Sequence, residues 1–111
     1  METWRTICAM PLVELCKRLG NGQLSSVEIT GAYLASIGAQ NSSLNAYVDV
    51  YDQEALAQAK ASDARRRAGQ ALSLLDGIPM AVKDNILVKD RRCTCASRML
   101  QDFIAPYDAT V

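Results

Sequence analysis

The sequence contains no histidine among its 111 residues. Nucleophile systems that depend on histidine, histidine metal sites and imidazole proton shuttles are therefore excluded for these residues. Proton transfer by the side chains present has to use lysine, carboxylates, tyrosine or cysteine. An excess of charge is absent too, because twelve lysine and arginine residues balance twelve aspartate and glutamate residues. Charge therefore gives no indication of a nucleic-acid or anionic-membrane partner.

Long apolar runs are also missing. No stretch approaches the roughly eighteen consecutive apolar residues of a membrane-spanning helix. The N-terminal sequence lacks the apolar segment of a signal peptide, because Pro11 and Glu14 interrupt the one stretch that could serve as such a segment. With 50% hydrophobic and 22% charged residues, the composition is that of a globular protein. We expect a cytoplasmic protein that does not contact a membrane.

The four cysteines, Cys8, Cys16, Cys93 and Cys95, lack the spacing of a zinc site. Cysteine is commonly a small buried residue in proteins of the reducing cytosol. We therefore predict free thiols and no metal site in this chain.

The N-terminal half has the pattern of three successive helices. Apolar residues recur at helical spacing over residues 12–19, and the glycines of residues 20–22 end that run. Ser25 and Glu28 form a capping-box sequence that opens a second helix, expected to end near residues 38–41.

A third helix is predicted from Gln53 to about Ala68, with Asp52 as its cap. Its last turn carries three arginines at residues 65–67. Cations at a helix C-terminus complement the helix dipole, so we interpret them as solvated charges rather than as a nucleic-acid patch.

Two runs have the pattern of strands. Residues 46–50 alternate between apolar and polar side chains, as in a half-buried strand. Residues 78–83 follow an Asp76-Gly77 turn and are almost continuously apolar, which favours a strand covered on both faces. The predicted fold class is therefore α/β, with helices first and strands near 46–50 and 78–83, in a layer order of helix, sheet and helix.

The second predicted strand ends at Lys83, followed directly by Asp84. Desolvating an ammonium group is costly, so a lysine in this position needs an explanation. One interpretation is an ion pair with Asp84, or a lysine that extends to water. The other is a lysine held uncharged by burial, which accepts a proton from a nucleophilic serine. The pattern alone favours the first interpretation.

Residues 75–86, called the signature segment below, read LDGIPMAVKDNI. They resemble the lysine segment of the amidase signature family, whose core is Gly-Ile-Pro-x-x-x-Lys-Asp. Residues 94–100 (TCASRML) and 103–111 (FIAPYDATV) resemble one branch of it, the A subunits of glutamyl-tRNA(Gln) amidotransferases. Shorter stretches of the N-terminal half fit too: residues 25–28, 44–47 and 55–64. Cys93 stands where the branch often has threonine.

The resemblance implies a mixed sheet between helical layers, of which residues 1–111 would be the N-terminal portion of a single amidase domain. It implies a serine–serine–lysine catalytic group in which Lys83 is the general base. Both serines belong to a Gly/Ser-rich catalytic loop, and the 111 residues contain no such stretch. We therefore predict that the sequence stops before that loop and that this chain alone is inactive.

For the full-length protein, the resemblance implies glutamine as substrate and amidotransferase B and C subunits as partners. Contact with tRNA would be indirect, through the complex, and ATP and Mg would bind at the partner subunit. No cofactor is expected in this chain, which lacks a Gly-rich phosphate loop. Two alternatives stay open: a fragment of another amidase-signature hydrolase, and a non-catalytic docking fragment.

Overall fold

The computed structural model describes residues 4–111. The chain divides into two compact units, Met1–Pro79 and Met80–Val111, called the N-terminal and the C-terminal unit below. Residues 1–3 lie outside the described residues, and so does the part of the signal-peptide prediction that concerns them. No helix within residues 4–111 has the length and apolar character needed to cross a membrane.

The N-terminal unit begins with two short helices, α1 (Trp4–Cys8) and α2 (Leu12–Gly20). Helix α1 was not predicted, because five residues are too few to show a periodic pattern. Helix α2 confirms the predicted helix at residues 12–19. Its buried residues, Leu15 and Leu19, are four apart and therefore lie on one face.

Helix α3 (Ser26–Leu44) confirms the predicted capping box. The Ser25 hydroxyl accepts a hydrogen bond from the Glu28 N–H at 3.1 Å, and the Glu28 carboxylate accepts one from the Ser25 N–H at 3.3 Å. The helix continues three residues beyond the predicted end. A glycine inside a helix costs only about 1 kcal/mol, so Gly38 does not end α3, which stops where Asn45 turns left-handed at φ 51°.

Helix α4 (Asp52–Arg67) agrees with the predicted third helix to within one residue at each end. Asp52 is its first helical residue rather than its cap, and Tyr51 occupies the cap position. Helix α3 packs against both α1 and α4. The carboxylate of Asp63, on α4, accepts hydrogen bonds from the N–H groups of Ser26 at 2.7 Å and Val27 at 3.2 Å, in the first turn of α3.

A hydrophobic cluster holds α1, α2 and α3 together. Its centre is Ile29, which is completely buried. The other buried members are Ile7, Leu15, Leu19, Leu24 and Ala32. All but Leu24, which lies in the loop between α2 and α3, are residues of these helices.

The strand predicted at residues 46–50 is wrong. The Asn41 side chain accepts a hydrogen bond from the Tyr47 N–H at 2.9 Å and donates one to the Tyr47 carbonyl at 3.1 Å. The N–H and the carbonyl of Tyr47, which a strand would pair with a neighbouring strand, are thus both bonded to the Asn41 side chain. Such side-chain bonds compete with sheet formation. The alternation from Ala46 to Val50 marks a loop that follows α3.

The strand predicted at residues 78–83 is also wrong in the described part of the chain. Met80 is 84% exposed and Val82 is 44% exposed, so the side chains are not covered on both faces. A strand also needs a neighbouring strand, and residues 4–111 contain only an isolated antiparallel bridge between Arg92 and Ile104. The described residues are helical with loops and lack the sheet of the predicted α/β class.

The C-terminal unit is a set of loops held by backbone hydrogen bonds on either side of that bridge. The Cys93 N–H donates to the Phe103 carbonyl at 3.1 Å, and the Ala105 N–H donates to the Arg91 carbonyl at 2.9 Å. Cys93, Thr94 and Ala105 are its buried residues. These contacts hold residues 91–93 against residues 103–105.

Candidate active site

The signature segment begins with a tight turn in the N-terminal unit. The Ile78 N–H donates to the Leu75 carbonyl at 3.0 Å, and Gly77 has φ +99°. A Cβ atom at Gly77 would lie 2.7 Å from the Ser62 hydroxyl oxygen and 3.0 Å from that of Ser26. Glycine is therefore required here both by the backbone conformation and by the lack of space.

Two helices hold this turn through polar contacts. The Ser26 hydroxyl, on α3, donates to the Gly77 carbonyl at 2.7 Å. The guanidinium of Arg65, on α4, binds both carboxylate oxygens of Asp76, at 2.9 and 2.6 Å. Arg66 donates to the Asp76 carbonyl at 2.8 Å. The arginines at 65 and 66, interpreted above as solvated, therefore hold the turn at residues 75–78.

Asp76 is held in its charged form. Its side chain is only 4% exposed. The hydrogen bond from the Arg65 side chain, followed by that from the Leu72 N–H at 3.1 Å, holds the pKa of the Asp76 carboxyl well below its usual range. Arg65 and Asp76 form a bidentate pair, the geometry that makes arginine–carboxylate contacts specific.

The depressed pKa of Asp76 predicts a pH-dependent stability. An unfolded aspartate has a pKa of about 4, so the contribution of the charged Asp76 is complete above that pH and is lost as the pH falls further. We expect Asp76→Asn to lower the free energy of unfolding by a constant amount between neutral and weakly acidic pH, and by less below about pH 4. Urea unfolding across this range measures it. Asp102→Asn, which removes an exposed carboxylate of the C-terminal unit, is the control, and equal pH profiles for both variants would contradict the prediction.

The C-terminal unit contains Lys83. Its side chain is exposed, and its carbonyl accepts a hydrogen bond from the Ile86 N–H at 3.0 Å in a turn. The carboxylate of the next residue, Asp84, is bound by Thr94, through the N–H at 2.9 Å and through the hydroxyl. The role of Lys83 as a general base stays a prediction.

The Asp84 network consists of Asp84 and the loop from Cys93 to Ala96. The Thr94 hydroxyl, followed by the Thr94 N–H, lowers the pKa of the Asp84 carboxyl. The Asp84 carbonyl accepts hydrogen bonds from the Cys95 N–H at 3.0 Å and from the Cys93 thiol at 3.4 Å. Asp84 thus uses both its side chain and its backbone oxygen to hold one loop next to Lys83.

That loop contains a left-handed turn without glycine. Cys95 has φ 50° and Ala96 has φ 58°, and the Ser97 N–H closes the turn on the Thr94 carbonyl at 2.8 Å. Side-chain-bearing residues in this conformation cost about 1–3 kcal/mol each and persist when surrounding contacts enforce them. The hydrogen bonds to Asp84 hold this conformation against its strain, so they order the loop that is bonded to the residue after Lys83.

The family model described as Amidase matches residues 28–111, which include the signature segment and the Asp84 network. The chain belongs to the amidase family. Three relatives are named as A subunits of glutamyl-tRNA(Gln) amidotransferase: those of Thioalkalivibrio sulfidiphilus (50% identical over 100 residues, 90% of this chain), Rhodopirellula baltica (42% over 98 residues, 88%) and Azotobacter vinelandii (46% over 102 residues, 92%). The chain spans about a fifth of the length of these curated relatives.

A solved structure is similar as well. It is described as a vestigial protein complex that reveals the evolutionary origins of an s-triazine catabolic enzyme. The TM-score is 0.82 at 29% identity, over 89% of this chain and 22% of that one. Most of this chain thus shares its fold with part of a longer solved chain. The family resemblance found in the sequence is confirmed by the family model.

The sequence pattern identifies Lys83 but not the contacts that hold the turn at residues 75–78. Arg65, Arg66 and Asp76 are all visible in the sequence, but nothing in their spacing shows that α4 and the turn approach each other. Thr94 lies within the TCASRML motif, which gives no sign that its hydroxyl and N–H bind Asp84. Among residues 4–111, no three cysteine, aspartate or glutamate side chains lie close enough together to hold a metal ion.

Proposed function

We propose that this chain is part of the glutamine-hydrolysing A subunit of an amidotransferase that converts Glu-tRNA(Gln) to Gln-tRNA(Gln). The observation that carries the proposal is the 42–50% identity, over about nine-tenths of the chain, to subunits of that name. The proposal includes B and C subunits as partners, with ATP and Mg bound at the B subunit and tRNA reached through the complex. The complex would work in the cytoplasm.

In this proposal Lys83 is the general base of a serine–serine–lysine group. A nucleophilic serine supplied from outside these 111 residues attacks the side-chain amide carbon of glutamine. Its proton passes through a second serine to the Lys83 amine and then to the departing ammonia. Water then hydrolyses the acyl-serine to release glutamate. The Asp84 network supports the proposal because it fixes the backbone directly after Lys83.

Substrate preference tests the proposal. A chimaera of the Azotobacter vinelandii protein, in which this chain replaces the matching 102 residues, provides the remainder of the enzyme. Co-expressed with the B and C subunits of that organism, it is expected to release ammonia from glutamine in preference to aliphatic and aryl amides. A chimaera that hydrolyses the other amides equally well would contradict the proposal.

The second candidate is an amidase that acts on another small amide. The structural similarity to the complex associated with an s-triazine catabolic enzyme favours it, although the 29% identity is lower than that to the amidotransferase subunits. The same panel of amides distinguishes the two functions. A third possibility, a non-catalytic docking fragment, predicts that the chimaera is inactive on every amide while it still binds the B and C subunits.

The chain alone is expected to be inactive. The 111 residues contain a lysine for the catalytic group but no Gly/Ser-rich stretch to supply the serines and the oxyanion-binding N–H groups. Ammonia release from glutamine by the purified chain should match the buffer blank in a coupled glutamate dehydrogenase assay. Turnover above the blank that Lys83→Ala removes would show that another residue of this chain is the nucleophile.

A further inference from the structure

Two cysteines lie in the loop that is bonded to the residue after the predicted catalytic lysine. Cys93 and Cys95 are separated by one residue. Two Cα–Cα steps of 3.8 Å keep their Cα atoms within about 7.6 Å of each other, and the bent conformations of this tripeptide bring them into the roughly 4.4–6.8 Å that a disulfide spans. Both residues also bind the same atom, the Asp84 carbonyl oxygen, one through its thiol and the other through its N–H.

The two thiols differ in their access to solvent. Cys93 is 3% exposed, whereas Cys95 is exposed on the strained turn. Burial, followed by the contact with Cys95, raises the pKa of the Cys93 thiol. A small oxidant can therefore reach Cys95 directly, whereas the buried Cys93, with its raised pKa, is the slower thiol and reacts second. This is the arrangement of an accessible thiol next to a resolving thiol.

We propose that Cys93 and Cys95 form a reversible two-electron redox site that exchanges with small disulfides such as oxidised glutathione. The Cys95 thiolate attacks one sulfur of glutathione disulfide, which forms a mixed disulfide and releases one glutathione thiolate. The Cys93 thiol loses its proton to solvent and attacks the Cys95 sulfur, which forms the Cys93–Cys95 disulfide and releases the second glutathione. The two protein thiols are oxidised, glutathione disulfide is reduced, and the two released thiolates take up the two protons.

Oxidation changes the surroundings of Lys83. The Cys93 thiol loses its hydrogen, so the Asp84 carbonyl loses one of its two hydrogen-bond donors. The remaining donor, the Cys95 N–H, belongs to a turn that the new bond constrains. The hydrogen bonding of the backbone directly after Lys83 therefore differs between the thiol and the disulfide form. A consequence for amide hydrolysis rests on the proposed function, whereas the redox site itself does not.

The oxidation state of each cysteine, measured in glutathione buffers, tests the site. The purified chain is equilibrated in mixtures of glutathione and glutathione disulfide, alkylated and analysed by peptide mass mapping. The peptide that carries both cysteines is expected to lose two hydrogens without gaining glutathione, and to regain them when reduced glutathione is in excess. Cys8 and Cys16, both partly buried in the N-terminal unit, are internal references that should remain alkylated or carry glutathione.

Replacement of the resolving thiol provides the matched control. Cys93→Ser is expected to trap glutathione on Cys95, with release at least roughly tenfold slower than in the unaltered chain, because neighbouring groups react at millimolar or higher effective concentrations. Cys95→Ser should prevent glutathione from reaching Cys93. Stable glutathionylation of Cys95 in the unaltered chain, or absence of modification at both cysteines, would overturn the proposal.

The backbone consequence has its own readout. The Asn85 amide resonance, whose peptide group contains the Asp84 carbonyl, should shift on oxidation of the unaltered chain and not of Cys93→Ser under the same buffer. An unchanged Asn85 resonance with the disulfide formed would overturn the link to the Lys83 backbone. Neither measurement uses enzyme activity, so a failure here is distinguishable from a failure of the proposed glutaminase function.

Discussion

Lys83→Ala is expected to lower kcat for glutamine hydrolysis by the chimaera by roughly 10²- to 10⁴-fold, the usual contribution of a general base. The reason is that no other residue of this chain is assigned to take the proton of the nucleophilic serine. Lys83→Arg should be about as inactive, because a guanidinium keeps the charge and does not give up its proton near neutral pH. Ammonia release at saturating glutamine measures both variants.

Lys89→Ala is the matched control for Lys83, since it removes another exposed lysine of the C-terminal unit. It should retain activity and the pH profile of the parent chimaera. A Lys83→Arg variant with most of its activity would show that Lys83 contributes charge rather than proton transfer. Loss of activity in Lys89→Ala as well would show that the substitutions disturb the C-terminal unit rather than the chemistry.

Gly77→Ala is expected to lower the free energy of unfolding of the N-terminal unit by about 2–5 kcal/mol, from backbone strain together with overpacking. The new Cβ atom would lie 2.7 Å from the Ser62 hydroxyl oxygen, and both Ser62 and Ser26 are buried. The turn would have to move away from α3, which breaks the bond from the Ser26 hydroxyl to the Gly77 carbonyl. Urea unfolding followed by circular dichroism measures the loss.

Other glycines of the same unit separate the two causes. Gly69 has φ +71° with open space around its missing Cβ, so Gly69→Ala should show only the strain of the left-handed conformation, about 1–2 kcal/mol. Gly31 lies inside α3 with open space, so Gly31→Ala should stabilise. Adding Ser62→Ala to Gly77→Ala should recover part of the lost free energy of unfolding, because it removes the hydroxyl that the new Cβ atom approaches. Equal effects at Gly77 and Gly69 would show that the close approach to Ser62 costs nothing.

The helices were predictable because their signals are local. The spacing of Leu15 and Leu19, and the pairing of Ser25 with Glu28, depend on residues within four positions of each other. Both predicted strands failed because a strand is defined by a partner that its own sequence does not contain. At Tyr47 the Asn41 side chain bonds the backbone instead, and at Val82 the described residues offer no neighbouring strand.

The candidate site was predictable to a similar degree. The Gly-Ile-Pro-x-x-x-Lys-Asp pattern identified Lys83 and the family, because a short motif preserves local chemistry. The contacts of Arg65 with Asp76 and of Thr94 with Asp84 join residues ten or eleven positions apart. Such pairings depend on how helices and loops approach each other, which periodicity does not encode. The opposite signs of Arg65 and Asp76 were compatible with pairing but did not require it.

The bonds from Ser26 and Val27 to the Asp63 carboxylate have a consequence for the folding pathway. They cap α3 from another helix, 36 and 37 residues away along the chain. An isolated α3 has only its own capping box to offset the cost of helix nucleation. We infer that the N-terminus of α3 reaches its full stability only after α4 has docked. The two helices therefore fold cooperatively. Because α3 is synthesised before α4, it lacks this cap until α4 has been made.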